Sequence, residues 1–459
     1  MKKIFIGFIA LLVSFTLFAG QRTAEEAAVI AAQFTNQQPQ LRRLHQAPRA
    51  ATNMRLAHTA LQENSADAAF YVFNQENENG FVIVSADDRT AQDVLVYSDE
   101  GSFNFETINP NFKWWLERFA EEITVLQTID DSEFIEPAVR KATQEVTPIA
   151  PLLKNKDGKD ITWYQEEPYS NLCPIDQRDN TRSLTGCVAT AASQIMYKWR
   201  WPEKGTGKNK YTWYDCMNDR CSQYKTKTIE EDFSTTTYDW DNMLPAYEGK
   251  SYTTKQATAV ATLMYHAGVA CKMQYGGDAN NGSGAWTDDM AYALKTNFGY
   301  NIGKFISMYS KDEYESDDVK AASVANVPYE FGVKTDQITA YFNTDLEAGR
   351  PIMMGGEGSQ GGHEFVCCGR DKDNKFYINW GWEDNSNCYT AITALKPNGK
   401  SFNFKSHIDA LIGLEPNKPS TLIETLATDE HQAGKVIENG QLYIIRNNEK
   451  YSVFGQKIQ

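Results

Sequence analysis

One of the chain's eight cysteines sits in an unusual setting: Thr185-Gly186-Cys187-Val188-Ala189-Thr190-Ala191-Ala192-Ser193-Gln194-Ile195-Met196. A glycine precedes it, and a small, apolar, helix-compatible run follows. That pattern puts a thiol at a helix N-terminus, where the helix dipole favours the thiolate. Downstream come Gly361-Gly362-His363-Glu364-Phe365-Val366 and Asn379-Trp380-Gly381-Trp382. Cys, His and Asn in that chain order suit a cysteine peptidase, which needs a thiol, a base to take its proton and a group to orient the base. The oxyanion formed on attack needs donors, here the backbone N–H of Cys187 and a side-chain amide.

Six histidines compete for the role of base. His45 and His58 lie in the amino-terminal part and His431 in the tail. His266, within Leu263-Met264-Tyr265-His266-Ala267-Gly268, reads as a structural histidine of a helix. His407 has no supporting pattern. His363 follows Gly-Gly, which lets backbone come close to a ligand, and it opens an apolar strand that can hold its ring toward a cleft. On residue types alone Cys187 keeps two readings: an activated nucleophile, or an inert buried thiol on a helix.

The elements that must position these residues follow from a pass along the 459 residues. Lys2, Lys3 and the apolar run Ile4–Phe18 read as a secretion signal ending near Ala19, too short and too abruptly followed by polar sequence for a membrane anchor. No later stretch is long and apolar enough to span a bilayer. A helix is expected from Arg22 to Phe34 with Thr23 as N-cap. Strands are expected at Ala69–Asn74, Gly80–Ser85 and Val94–Tyr97, and a helix at Asn111–Thr128 with Trp114, Trp115, Phe119, Ile123 and Leu126 in near-helical spacing. Glu133 to Pro148 is polar and reads as an exposed, nickable linker. The main domain is helix-rich first (Gly186–Trp201, Thr254–Gly268, Asp288–Phe298). It is strand-rich afterwards (Pro351–Met354, Glu364–Cys368, Phe376–Trp380, Tyr389–Leu395), an α+β layout with a cleft between its halves. The tail reads as a hairpin.

Net charge is −15, which argues against a nucleic-acid partner. An exported chain permits disulfides, and Cys216 with Cys221, flanking a polar loop, is the favoured bridge. Cys367 and Cys368 would face opposite sides of a strand and read as core. No cysteine or histidine spacing resembles a zinc site.

With these residues in view, the chain resembles the streptopain family of secreted bacterial papain-like cysteine peptidases. The resemblance rests on Gly186-Cys187-Val188-Ala189-Thr190-Ala191 with Gln194-Ile195-Met196 and Pro202, on Trp163-Tyr164-Gln165-Glu166-Glu167-Pro168-Tyr169, and on Tyr238-Asp239-Trp240-Asp241-Asn242-Met243-Leu244-Pro245. Met273-Gln274-Tyr275-Gly276, Gly282-Ser283-Gly284-Ala285, Gly362-His363 and Asn379-Trp380-Gly381-Trp382 complete it in order. It spans roughly residues 22 to 415, and the amino-terminal module resembles the family's inhibitory propeptide.

The resemblance implies a papain-like α+β catalytic domain and a latent endopeptidase acting on proteins and peptides without metal or organic cofactor. Cys187 would be the nucleophile and His363 the general base. Gln165 would be the side-chain donor of the oxyanion hole, with Asn379 and Trp380 orienting and shielding the histidine. Ser283, Gly284, Gly362 and Glu383 are expected along the substrate pocket. The implied division is 1–19 signal, 20–147 inhibitory propeptide with linker, 148–416 peptidase, and 417–459 a tail resembling carboxy-terminal sorting modules. The product would be secreted or held at the cell surface, inhibited by its own propeptide.

The family usually has Gly-Gly after Trp-Gly-Trp, whereas Glu383-Asp384 stand here, which predicts a preference for basic or neutral residues near the cut. Two other readings are a non-catalytic binding or inhibitor protein on the same fold, and a Cys-His acyl transferase.

Overall fold

The computed structural model describes residues 20–37, 54–126, 146–178, 180–218, 221–277, 282–312, 325–358, 361–395 and 407–418, and four strands of the tail. The leader read at 1–19 lies outside them, as does most of the linker read at 133–148. Residues to Glu415 form one compact unit and those from Pro416 another.

The amino-terminal module opens with α1 (Ala24–Gln37). Its Thr23 and Glu26 cap each other: the Thr23 amide donates to Glu26 Oε2 at 2.9 Å and the Glu26 amide to Thr23 Oγ1 at 3.3 Å. Then come β1 (Met54–Leu61), β2 (Ala68–Gln75), β3 (Phe81–Ser85), β4 (Val94–Ser98) and α2 (Pro110–Leu126). Pro110 sits in the first turn of α2, where a missing N–H is harmless. The Asn109 carboxamide accepts from the Phe112 amide at 2.8 Å and caps the helix. Phe112, Trp115, Phe119 and Ile123 form one buried stripe, each contributing about 1.5–3 kcal/mol by leaving water. β1 was not expected from the sequence: it is an edge strand with no buried residue, bulged against β2 and without clean alternation.

Next in the chain are α3 (Cys187–Trp199), β5 (Lys208–Cys216), β6 (Tyr224–Asp232), α4 (Thr254–Ala270) and α5 (Thr287–Thr296). They are followed by β7 (Tyr300–Asn301), β8 (Lys304–Ser307), β9 (Tyr329–Phe331) and α6 (Thr335–Glu347). The last are β10 (Ile352–Gly358), β11 (Gly361–Arg370), β12 (Phe376–Asn379), β13 (Cys388–Thr390) and β14 (Asp409–Ile412). Helices first and strands second is the expected order, but α6 and the β5–β6 hairpin were not read. A Cys216–Cys221 disulfide joins the end of β5 to the turn before β6, the bridge expected from the sequence.

The sheet runs β1-β2-β3-β4-β13-β12-β11-β10-β14-β8-β9, antiparallel except where β8 meets β9. The amino-terminal strands thus continue the main-domain sheet through β4 and β13, with Tyr97 opposite Tyr389 and Val96 opposite Thr390. One face of its central strands (Met353, Val366, Cys368, Leu411) packs on α3, α4 and α5. The other face (Ile352, Met354, Phe365, Cys367) packs on α2 and α6. Cys367 and Cys368 therefore lie in different cores, as strand alternation requires. The tail is a four-stranded antiparallel meander, Gly434–Glu438, Gln441–Arg446, Glu449–Ser452 and Lys457–Ile458, longer than the hairpin read from sequence.

Candidate active site

Cys187 is the first residue of α3. Gly186 before it has φ +86°, and a Cβ there would stand 2.7 Å from Met273 Sδ and 3.0 Å from the Ser283 carbonyl oxygen. Both the dihedral and the space demand glycine. The Thr185 amide donates to the Gln165 carbonyl at 3.0 Å, which ties the Gln165 segment to the approach to Cys187. Gln165 is buried, and its Nε2 has no hydrogen-bond partner among the described residues. A buried donor left open costs about 1–3 kcal/mol.

His363 and Glu364 are neighbours at the start of β11, so their side chains leave opposite faces of the sheet. His363 is opposite Gly356. Its ring lies on the α2 side, 6.0 Å from the Trp114 ring. A Cβ on Gly356 would come within 3.0 Å of that same indole. Glu364 is opposite Gly355 and points to the α3 side, where its Oε2 accepts from Thr287 Oγ1 at 2.7 Å. The structure thus brings Cys187 to Glu364, and it turns the His363 ring away from the thiol.

The electrostatics match a silent site. Burial first, then the Glu364 carboxylate, push the Cys187 thiol up to about 11, although the amides of Glu364, Val188 and Cys187 itself favour the thiolate. The helix dipole contributes only about 0.3–2 kcal/mol and is outweighed. Burial holds His363 down to about 4, so at neutral pH the imidazole is uncharged and no thiolate–imidazolium pair exists.

The other expected residues are placed as follows. Asn379 is buried: its Nδ2 donates to the Ile161 carbonyl at 2.9 Å, and its Oδ1 accepts from Gln194 Nε2 at 3.1 Å and the Gly381 amide at 3.0 Å. These bonds lock β12 to α3 and do not involve His363. Trp380 lies in the α2-side core against Phe112 and Phe365, with ring centroids 5.2 and 4.8 Å away. Ser283 Oγ bonds the Leu184 carbonyl at 2.7 Å and the Gly276 amide at 2.9 Å, holding the loop before Cys187. Gly284 pairs with Gln274 and has open space where a side chain would be. Gly362 is exposed. Glu383 is half-buried, its amide donating to the Trp163 carbonyl at 3.1 Å. Burial, and then Glu248, Asp384 and Glu166, push its carboxyl up to about 7.

Sequence reasoning missed the residues that close the site. Asn111 of α2 donates through Nδ2 to the carbonyls of Trp380 (2.7 Å) and Glu364 (3.2 Å). Arg118 and Glu122 form a buried pair on α2; Arg118 also donates to the Ile392 carbonyl, and Glu122 accepts from Thr393 Oγ1 at 3.0 Å and the Ala394 amide. Glu364 was visible as a lone acid in an apolar strand. Asn111 looked like any polar residue of a first turn.

Two family models match this chain: one described as the peptidase C10 family over residues 163–390, the other as Spi protease inhibitor over residues 19–123. Streptopain of Streptococcus pyogenes is 29% identical over 382 residues, covering 80% of this chain and 86% of streptopain. The thiol protease/hemagglutinin PrtT of Porphyromonas gingivalis is 29% identical over 360 residues, 76% of this chain and 37% of that protein. A solved fragment of Prevotella intermedia prointerpain A, a cysteine-to-alanine mutant, is 30% identical with a TM-score of 0.58; the match covers 80% of this chain and 100% of that one. The chain belongs to the peptidase C10 family. It is a cysteine-type endopeptidase made with an inhibitory propeptide, on the α+β papain-like fold the sequence implied. Among the described residues no helix is long and apolar enough to cross a membrane.

Proposed function

We propose that Cys187 is the nucleophile and His363 the general base and acid of a secreted endopeptidase that is held latent by residues 20–147. The observation that carries this is the thiol at the glycine-started N-terminus of α3, touched by the amide of Glu364, the residue next to His363. Once His363 reaches the cleft it takes the Cys187 proton, and the thiolate attacks the peptide carbonyl carbon. The open Nε2 of Gln165 and the Cys187 amide then donate to the oxyanion. The imidazolium protonates the leaving amine, a thioester remains, and water deprotonated by His363 hydrolyses it. Asn379 acts by fixing β12 on α3, and Trp380 by walling the histidine side of the sheet. Ser283, Gly284, Gly362 and Glu383 border the path of substrate.

In this reading 1–19 is removed on export, 148–416 is the peptidase, and 417–459 is a sorting module. The experiment is casein digestion by the matured protein, with and without an epoxide thiol inhibitor, beside Cys187→Ala. Cleavage lost in the variant and under the inhibitor supports the assignment. Undiminished cleavage by Cys187→Ala overturns it, and amine incorporation without cleavage would reassign the chemistry to acyl transfer. The first maturation cut is proposed to be autocatalytic, and a purified Cys187→Ala precursor that still matured alone would contradict this.

A further inference from the structure

The face of α3 that carries Cys187 also buries an amide. Gln194 lies two helical turns after Cys187, on the same side of the helix. Its neighbours Ala191, Ala192, Ile195 and Met196 are buried and apolar, and Gln194 is itself fully buried. Its Oε1 accepts from the Trp163 amide at 3.2 Å, and its Nε2 donates to Asn379 Oδ1 at 3.1 Å. Asn379 Nδ2 closes the circuit by donating to the Ile161 carbonyl at 2.9 Å. One side chain thus ties the stretch from Ile161 to Trp163 both to the helix of Cys187 and to the end of β12. Gln165 follows two residues later, its carbonyl held by the Thr185 amide at 3.0 Å. Residues 161–164 belong to no helix or strand, so bonds of this kind must set their position. An apolar side chain of similar size would fill the space but leave the buried Trp163 amide unmet. None of these bonds involves the start of β11.

We infer that Gln194 is a positioning residue for catalysis, fixing the Trp163–Gln165 segment against α3 so that the Gln165 amide and the Cys187 backbone N–H converge on one oxyanion. The inference rests on Cys187 being the nucleophile and Gln165 the oxyanion donor. Gln194 acts through Gln165. A donor stabilises the oxyanion only if it is aimed where the charge develops, and a misplacement of about 1 Å costs about a hundredfold in rate. Trp163 has other holds: its ring stacks on Tyr197 with centroids 4.9 Å apart, and its Nε1 donates to the Leu244 carbonyl at 2.9 Å. Loss of the Gln194 bonds therefore shifts the segment without releasing it.

The test uses matured enzyme and a peptide substrate. Gln194→Met removes both bonds at similar size and should lower kcat by about 10- to 100-fold with little change in KM, because the oxyanion is absent from the ground state. Alkylation of Cys187 by iodoacetamide forms no oxyanion and should keep its wild-type rate. In a Gln165→Ala background Gln194→Met should cost little more, because the donor it positions is gone. In Gln194→Glu the protonated carboxyl matches the amide in shape and makes both bonds, so kcat relative to wild type should rise as pH falls. That arm stands even if Gln194→Met does not fold. Unchanged kcat in Gln194→Met, or a loss confined to KM, overturns the inference alone. So does the full loss repeated in the Gln165→Ala background, a fall of kcat and alkylation together, or a Gln194→Glu ratio flat across pH. Undiminished turnover in Gln165→Ala or Cys187→Ala overturns the assignments beneath it, and this inference with them.

Discussion

Replacing Asn111 by alanine tests how α2 keeps the site shut. The Asn111 amide is the polar contact between α2 and the two strands that carry the candidate residues, at 2.7 Å to the Trp380 carbonyl and 3.2 Å to the Glu364 carbonyl. Both carbonyls are buried, and each loses a donor, at about 1–3 kcal/mol apiece if left unmet. Against this, Asn111 Oδ1 is itself buried without a partner among the described residues, and the variant removes that cost, about 1–3 kcal/mol. The net weakening of the closed form is about 1–3 kcal/mol, which multiplies the open population by about 5 to 150. The assay is the rate at which an epoxide alkylates Cys187 in the uncleaved precursor, read by intact mass, because the closed form holds the thiol up to about 11. Lys113→Ala, on the exposed face of the same helix, is the control and should change little. Alkylation in Asn111→Ala no faster than in Lys113→Ala would refute the reasoning.

Arg118→Met in the precursor leaves Glu122 buried without its cation, and should cost about 3–5 kcal/mol of stability; an unchanged urea midpoint would count against the pair as a latch. Glu364 has its carboxyl raised from 4.5 to about 8, so between those values the folded precursor holds a proton that the unfolded chain has released. Stability must then fall as pH rises across that window, by of the order of 4 kcal/mol in all, and Glu364→Gln should remove this slope. Parallel urea-midpoint profiles for the two proteins would exclude it. On maturation, hydrogen exchange should speed up at the amides of His363 and Glu364 while those of Val366 and Cys367 stay protected. Uniform protection along β11 in both forms would mean the strand start does not move.

The sequence made most of the catalytic half legible because its signals are local. Gly186 before Cys187, the capping Thr23–Glu26 pair and the aromatic stripe of α2 each follow from a few neighbouring residues. The α+β order and the opposite-facing Cys367 and Cys368 were likewise readable. What was not readable depends on distant partners. β1 is an edge strand defined by its pairing with β2, and the β5–β6 hairpin has mostly exposed arms whose alternation is blurred by charged residues. Nothing near Val94–Ser98 announces that it will pair with Cys388–Thr390 and merge two sheets. Asn379 shows the same limit within the site: its residue type suits holding a histidine, but its amide is taken by Ile161, Gln194 and Gly381.

Consecutive residues on a strand face opposite ways, so β11 cannot show both His363 and Glu364 to Cys187 while it remains a regular strand. With α2 docked, Trp114 receives the His363 ring and Asn111 holds the Glu364 carbonyl. In the proposed mechanism, delivering the imidazole to the thiol therefore requires the first residues of β11 to leave their register with β10. That register pairs Gly358 with Gly361, Glu357 with Gly362, Gly356 with His363 and Gly355 with Glu364. Glycine-rich pairing buries few side chains and is the least costly part of the sheet to remodel. Gly356, where a Cβ would meet the His407 carbonyl at 1.7 Å and Trp114 at 3.0 Å, lies within the segment that must rearrange when α2 departs, and the rate of maturation should be set by undocking of α2 rather than by the strand.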